Sequence, residues 1–218
     1  MGGVYPAPLG VFGGTFDPIH FGHLRPALEL LEQLSLQRLH LIPSAVPPHR
    51  EAPHAAAGQR LAMLRLAVAG QPGFVVDGRE LQRSGPSYTV DTLESLRAEV
   101  GETPLCLLLG VDAFLGLPAW HQWPRLLELA HIVVAHRPGW RLDEANMPPA
   151  LRQAVAGRWL DDAASLRTAL CGGVLLQGVS QLDISATGIR ERIAAGKSAN
   201  YLLPEKVWQY IQEQDLYR

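Results

Sequence analysis

The sequence predicts one α/β domain with a mostly parallel sheet, helices on both faces and a helical tail. Short apolar runs alternate with segments in which apolar residues recur at helical spacing. Such alternation is typical of parallel strands that are joined by helices. The chain has 218 residues and is 47% hydrophobic, which is sufficient for a single domain with a buried core.

Each element follows from its own apolar pattern. Strands are predicted at 10–12, 39–42, 74–76, 105–109, 131–135 and 174–176. Helices are predicted over 24–34, 61–68 and 90–100, where apolar residues form one helical face. We therefore predict an α/β core over 1–183, with a helical insertion at 138–172 where the periodicity is weaker, and a C-terminal helical segment over 184–218 in the same domain.

The C-terminal segment predicts two helices. Ser185 is the expected N-cap of the first, with Ile184 and Ile189 as a hydrophobic staple. This helix is expected to end near Gly196. Pro204 is expected to open the second helix, because its fixed φ suits a first turn.

Charge and cysteine usage exclude several classes of protein. The net charge of −2 provides no overall positive field for nucleic acid or an acidic membrane surface. Cys106 and Cys171 are expected to be reduced thiols. The opening MGGVYPAPLG has no basic region before a long apolar stretch, and no apolar run approaches the roughly 20 residues of a membrane span. We expect a soluble cytoplasmic protein with no nucleic-acid or membrane partner.

The segment 13–23, GGTFDPIHFGH, is the strongest candidate for a functional site. It links the first predicted strand to the first predicted helix, so its glycines admit a bulky anion and the helix N-terminus offers free N–H groups. His20 and His23 share one face if the helix has begun by His20. The alternative use of both histidines is a metal site, but no third ligand stands at a convincing spacing. Neither G-x-G-x-x-G nor the Walker lysine loop is present.

Two motifs carry a family resemblance. Residues 13–23 resemble the G-G-T-F-D-P-x-H-x-G-H signature of the nucleotidyltransferase superfamily, and residues 184–190, ISATGIR, resemble its second signature, I-S-x-T-x-x-R. The segments VPPHR at 46–50, PSYT at 86–89 and WHQW at 120–123 are similar to bacterial nicotinate mononucleotide adenylyltransferases. So are DGRE at 77–80, GVD at 110–112 and YLLP at 201–204. One departure is Ala186, where a second serine is common.

The resemblance implies a Rossmann-like sheet of order 3-2-1-4-5. It also implies transfer of AMP from ATP to nicotinate mononucleotide, giving deamido-NAD and pyrophosphate without a covalent enzyme intermediate. The attacking phosphate is already an anion, so positioning and positive charge are needed more than a base. Ligands of such sheets bind where the strand order reverses, here between strands 1 and 4.

The resemblance also implies a set of site residues. Catalysis is assigned to His20, His23 and Arg190. ATP binding is assigned to Gly13, Gly14, Thr15, Phe16, Gly22, Ser185, Thr187 and Arg137. Binding of the mononucleotide is assigned to Asp112, Tyr88, Thr89, Trp120, His121, His49 and Arg50, with the nicotinate carboxylate on backbone N–H groups near Thr89 and His121. Mg²⁺ is the expected cofactor, bound mainly through ATP phosphates, and no metal-binding side chain is assigned.

Several of these residues have structural alternatives. Asp112 is a helix N-cap in the alternative interpretation, and Trp120 is a core residue. For His49 and Arg50, the alternative interpretation is the solvent-exposed tip of a loop. Asp77, Arg79 and Glu80 are interpreted as either an ion-paired structural cluster or part of the site, and are kept out of the catalytic set. Trp123 and Trp208 are expected in the core.

Other functions remain open at this stage. Pantetheine-phosphate adenylyltransferase is the nearest alternative, but that family usually has Thr at the position of His20 and Lys at that of Arg190. Class I aminoacyl-tRNA synthetases share H-x-G-H but carry a lysine-rich loop that is absent here, and cytidylyltransferases have a different second motif. A non-catalytic nucleotide sensor on the same fold is the alternative from another class. The sequence does not define the oligomeric state.

Overall fold

Six parallel strands and eight α-helices make up the computed structural model in the residues that it describes, 4–45, 52–83 and 85–218. The strands are β1 (Leu9–Gly14), β2 (Arg38–Pro43), β3 (Phe74–Val76), β4 (Leu105–Gly110), β5 (His131–His136) and β6 (Val174–Gly178). The helices are α1 (Phe21–Gln33), α2 (Ala57–Val68), α3 (Thr89–Val100), α4 (Val111–Leu115), α5 (Trp123–Leu129), α6 (Pro149–Val155), α7 (Ala186–Ala194) and α8 (Glu205–Glu213). Short 3₁₀ turns lie at Arg79–Gln82, Leu117–Ala119, Glu144–Asn146 and Ala163–Arg167.

The sheet has the order β3-β2-β1-β4-β5-β6, and every neighbouring pair is parallel. This confirms the predicted α/β class and the order 3-2-1-4-5, to which β6 adds an edge strand beside β5. The order reverses at β1, which pairs with β2 on one side and β4 on the other. A crevice therefore opens at the carboxyl ends of β1 and β4.

Alternation along β4 shows why its sequence is continuously apolar. Leu107 packs into a core cluster with Leu93 of α3, whereas Leu108 packs into a second cluster with Leu30 of α1. Successive side chains of a strand point to opposite faces, and both faces of this sheet are covered by helices. A strand buried on both sides loses the polar positions that would otherwise mark its outer face.

The C-terminal helices pack into a third core cluster, which joins them to the sheet and to α2. Ile189 of α7 and Val207 of α8 are buried there together with Leu41 of β2 and Leu64 of α2. Ser185 is the N-cap of α7, as predicted, and its hydroxyl accepts the Gly188 N–H at 3.1 Å.

Helix α7 ends and helix α8 begins close to the predicted residues. Helix α7 ends at Ala194, just before Gly196, which has φ of +69°. Pro204 occupies the N-cap position directly before α8 instead of its first turn. The difference is one residue, because the proline ring fits the extended backbone of a cap as well as it fits a first turn.

The predicted insertion at 138–172 consists of short helical pieces that contribute to the core. Met147, Leu151 and Val155 are buried in the cluster that contains β4 and α3. Trp123 and Trp208, predicted in the core, are only half-buried and pack at the edges of core clusters. Within the described residues, no helix combines the length and apolarity of a membrane span.

Candidate active site

The loop between β1 and α1 is the centre of the candidate site. Phe16 adopts φ of +50°, an uncommon conformation for a residue with a side chain, and its ring is buried. That ring packs edge-on against Phe12, with centroids 5.8 Å apart, and against His23, with centroids 5.3 Å apart. The aromatic packing holds the loop in this conformation and fixes one side of the His23 ring.

His20 and His23 form a stacked pair. Helix α1 begins at Phe21, with His20 as its N-cap, so the helix starts one residue later than the shared-face interpretation required. The two rings are nevertheless 3.8 Å apart between centroids and inclined by 31°. Both Nδ1 atoms are buried without a hydrogen-bond partner among the described residues. Unpaired buried polar atoms are costly and mark positions where a ligand can supply the missing partner.

Burial keeps both rings uncharged at neutral pH. It lowers the pKa of His20 from 6.5 to about 4. Burial, with a contribution from the neighbouring His20, lowers the pKa of His23 to about 3. A neutral imidazole still presents one N–H donor, and an approaching polyanion would favour the protonated form.

Gly22 brings the two sequence motifs into contact. A Cβ atom at this position would lie 2.8 Å from the Ile184 carbonyl oxygen and 2.9 Å from the His20 ring. No real side chain is tolerated that close to backbone, so only glycine lets the segment before α7 approach the histidine pair.

Arg190 of α7 completes the junction between the motifs. Its Nη1 donates to the Asp17 carbonyl oxygen at 2.7 Å, and its Nη2 donates to the Thr187 hydroxyl at 3.2 Å. Ser185 and Thr187 lie at the N-terminal end of the same helix. The predicted catalytic residues and these two predicted ATP ligands thus lie around one loop.

A cavity of about 220 Å³ adjoins this loop at the carboxyl ends of β1, β2 and β4. Its lining includes Gly13, Gly14, Thr15, Thr89, Trp120 and His121. Tyr88 also lines it, and its ring stacks on His121 with centroids 4.2 Å apart. Trp120 packs against the core and also lines the cavity. The core interpretation and the binding interpretation of this residue therefore each describe one part of its surroundings.

Other predicted site residues lie apart from this cavity. Asp112 is exposed in the first turn of α4, whose N-cap is Gly110, so the N-cap interpretation of Asp112 is wrong. Arg137 is exposed beyond β5 and donates to Gln181 at 3.1 Å. The predictions for His49 and Arg50 fall outside the described residues.

The cluster predicted from DGRE divides into two parts. Arg79 donates to Asp77 at 2.7 Å and to Glu99 at 3.0 Å, and His40 lies 3.1 Å from Asp77, so these residues form an ion-paired structural network. Glu80 is separate from it. Its buried carboxylate lines the cavity and accepts the Thr92 hydroxyl at 2.8 Å.

Burial raises the pKa of Glu80, and hydrogen bonds from Thr92 and Ser87 act in the opposite direction. Of the two interpretations given for Asp77, Arg79 and Glu80, the structural network therefore describes Asp77 and Arg79, whereas Glu80 lies in the wall of the cavity. The available signal was its place in the DGRE segment, 77–80, of which it is the last residue.

Sequence reasoning also missed the residues that hold the loop in place. Arg60 of α2 is buried and donates to the carbonyl oxygens of Thr15 at 2.7 Å, Ala45 at 3.3 Å and Ala55 at 3.3 Å. An arginine directly before the helix predicted at 61–68 gives no signal of such a role, since its partners are main-chain oxygens.

Comparisons with known proteins show the family and the fold of this chain. Residues 11–192 match the family model described as Cytidylyltransferase-like. A relative from Aeromonas salmonicida, named "Probable nicotinate-nucleotide adenylyltransferase", is 50% identical over 212 residues, 97% of this chain and 98% of the relative. A relative of the same name from Halorhodospira halophila is 53% identical over 209 residues, 96% of this chain and 94% of its own.

The fold is also that of a solved structure. Plasmodium falciparum nicotinic acid mononucleotide adenylyltransferase complexed with APC has a TM-score of 0.70 at 15% identity, covering 97% of this chain and 98% of that one. Its complex with NaAD gives the same values. The fold and the family model together define a nucleotidyltransferase of the cytidylyltransferase-like class. Because relatives at this level of identity span nearly the whole chain, it belongs to the nicotinate-nucleotide adenylyltransferase family.

The buried histidine pair predicts acid sensitivity. Both rings have a pKa near 6.5 in the unfolded chain and a lower one in the fold, so below about pH 6.5 the unfolded chain binds more protons and the free energy of unfolding falls. From pH 7 to 5 the loss is on the order of 2 kcal/mol for each ring.

Urea unfolding at both pH values measures this loss in the parent and in a His20→Asn, His23→Asn double variant. The double variant should lose less stability on acidification. The other titrating groups, including buried His131, are common to both proteins and cancel in the difference. An equal loss in the two proteins would contradict the assignment of buried neutral rings.

Proposed function

We propose that this protein transfers AMP from ATP to nicotinate mononucleotide, giving deamido-NAD and pyrophosphate in NAD biosynthesis. One observation carries the proposal: a cavity with aromatic walls and a helix N-terminus directly adjoins the loop that holds the stacked histidine pair. The cavity suits a flat ring with an anionic substituent, and the adjoining loop suits a polyphosphate. The relatives' names indicate the same reaction.

The chemistry needs alignment of two anions more than proton transfer. An oxygen of the mononucleotide phosphate attacks the α-phosphorus of ATP, a new P–O bond forms, and the bond to the β-phosphate bridge breaks with its electron pair leaving on pyrophosphate. His20 and His23 are assigned the donation of N–H groups to phosphate oxygens. Charge developing on the transferred group is thereby stabilised in a water-poor setting.

Arg190 is suited to hold the departing pyrophosphate. Its guanidinium is oriented by hydrogen bonds to the Asp17 carbonyl and the Thr187 hydroxyl, and the N–H groups that these two bonds do not use are available for phosphate oxygens. Ser185 and Thr187 at the N-terminal end of α7 add the positive end of a helix dipole. Arg137, exposed beyond β5, would reach the adenine end of ATP only by leaving Gln181.

Magnesium enters this reaction with its substrate. Mg²⁺ prefers oxygen ligands and retains waters, and in phosphoryl transfer it is bound largely by the phosphates. Among the described residues, no group of three or more His, Cys, Asp or Glu side chains is arranged to hold a metal. The proposal is therefore that Mg²⁺ arrives as the ATP complex and neutralises the triphosphate.

The aromatic cavity is the proposed site for the pyridine ring. Trp120 offers a flat face, and Tyr88 with His121 forms the adjoining wall. Thr89 is the first residue of α3, so main-chain N–H groups of that first turn have no partner within the helix. A carboxylate can accept from such donors and an amide NH₂ cannot, which favours nicotinate over nicotinamide. Asp112, exposed in α4, is proposed to accept from a ribose hydroxyl.

The cytoplasm is the proposed location. Cys106 is buried and Cys171 partly exposed, and both are free thiols. Free thiols of this kind are typical of a reducing compartment.

Pyrophosphate release with ATP and Mg²⁺ tests the proposal directly. Rates are compared for nicotinate mononucleotide and nicotinamide mononucleotide at equal concentration. We expect a clear preference for the acid. Comparable rates would retain the adenylyltransferase and remove the carboxylate argument, whereas no release with either substrate would overturn the proposal and make phosphopantetheine the next substrate to test.

His23→Ala tests the role of the stacked pair. Loss of a donor to the transferred group should lower kcat by about 10²-fold or more. The KM for the mononucleotide should change little, because His23 lies outside the aromatic cavity. Far-UV circular dichroism and the thermal midpoint check that the variant is folded. A folded variant with a near-parental kcat would contradict the phosphate role.

Trp120→Ala tests the ring-binding wall. Loss of a stacking face should raise the KM for nicotinate mononucleotide about 10-fold, with a much smaller change in the KM for ATP. Trp123→Ala is the matched control, since Trp123 packs against the same core cluster without lining the cavity. Equal effects of both substitutions on both substrates would show that Trp120 acts only as a core residue.

A further inference from the structure

The end of the chain contacts the candidate active-site loop. The hydroxyl of Tyr217, next to the last residue, donates to Oδ1 of Asp17 at 2.7 Å. Tyr217 adopts φ of +66°, and it packs, with Leu216, against the core cluster that contains Phe16 and Ile189. The hydrogen bond therefore joins the segment after α8 to the loop between β1 and α1.

Asp17 is the residue on which several restraints of this loop converge. Its carboxylate is only 4% exposed and also accepts the main-chain N–H groups of His54 at 2.7 Å and Ala55 at 3.1 Å. Its carbonyl oxygen accepts from Arg190 at 2.7 Å. The side chain of Asp17 is thus tied to Tyr217, and its main chain is tied to the residue proposed to hold pyrophosphate.

The Tyr217 hydroxyl is a dependable donor. Burial and the adjacent Asp17 carboxylate raise the pKa of this phenol, so it stays protonated through the neutral range. A buried carboxylate needs several donors to offset its loss of water. Without the hydroxyl, Oδ1 of Asp17 retains only the Ala55 N–H and Oδ2 only the His54 N–H, so the buried carboxylate loses one of its three donors. Asp17, whose carbonyl oxygen orients Arg190, is then held less firmly in place.

We propose that Tyr217 is a positioning residue for the reaction, acting through Asp17 on the loop 13–23 and on Arg190. This inference rests on the proposed function for its kinetic consequence. It assigns a role to the C-terminal residues that neither motif contains. The role concerns only the ATP end of the site, because Tyr217 and Asp17 do not line the aromatic cavity within the described chain.

Tyr217→Phe removes the hydroxyl and keeps the ring. We expect kcat to fall and the KM for ATP to rise, so that kcat/KM for ATP falls about 10-fold, as for loss of one hydrogen bond to a charged group. The KM for nicotinate mononucleotide should stay within about twofold of the parental value. Tyr210→Phe is the matched control, because Tyr210 lies half-buried on α8 against the same cluster and should leave both constants unchanged.

Two further measurements keep the outcome decisive. Thermal midpoints are measured for all three proteins, and kinetics are run well below the lowest midpoint, so loss of folding cannot imitate loss of positioning. Binding of a non-hydrolysable ATP analogue by titration calorimetry is independent of turnover and should weaken in Tyr217→Phe alone. Unchanged analogue binding and kcat, or equal losses for both substrates, would overturn the inference. Absence of turnover in the parent would count against the proposed function, and analogue binding would still test Tyr217.

Discussion

The reversal of strand order between β1 and β4 is the constraint on which the site depends. Helices cover both faces of the sheet, so a ligand can enter only at the edge formed by the strand ends. At β1 the chain leaves towards one side and at β4 towards the other, and the loop 13–23 and the cavity lie in the gap between them. If the connections after β1 and β4 ran to the same side of the sheet, they would cover the loop and close the gap.

The same gap explains why polar atoms are buried there. The Nδ1 atoms of His20 and His23 have no partner in the described structure, which is unfavourable for folding. The surrounding contacts compensate: Phe16 packs against His23, and Gly22 allows the Ile184 carbonyl to approach. The surrounding packing thus holds the loop in a conformation that leaves these two polar atoms unpaired among the described residues, as is typical of strained functional sites.

The fold was largely predictable because its elements carry local signals. Strand β4 has an unbroken apolar run, and Ser185 caps α7 through its own side chain. The two motifs also identified the loop and Arg190. Residues whose side chains bond only to main-chain atoms were not predictable. Arg60 donates to three carbonyl oxygens, and no side-chain pattern in the sequence records such partners. Glu80 was placed beside Arg79 by spacing alone, but the 3₁₀ turn points the two side chains to different partners.

Arginine at position 60 follows from the geometry of these carbonyls. Thr15, Ala45 and Ala55 present their oxygens from three directions, and a planar guanidinium with five fixed N–H groups can meet all three at once. A lysine would concentrate its charge at one point and would leave some of these oxygens without a donor. Burial in turn lowers the pKa of Arg60, yet a guanidinium remains charged under these conditions. A permanently charged side chain therefore holds the loop between β1 and α1 at the Thr15 carbonyl and joins it to the main chain at Ala45 and Ala55.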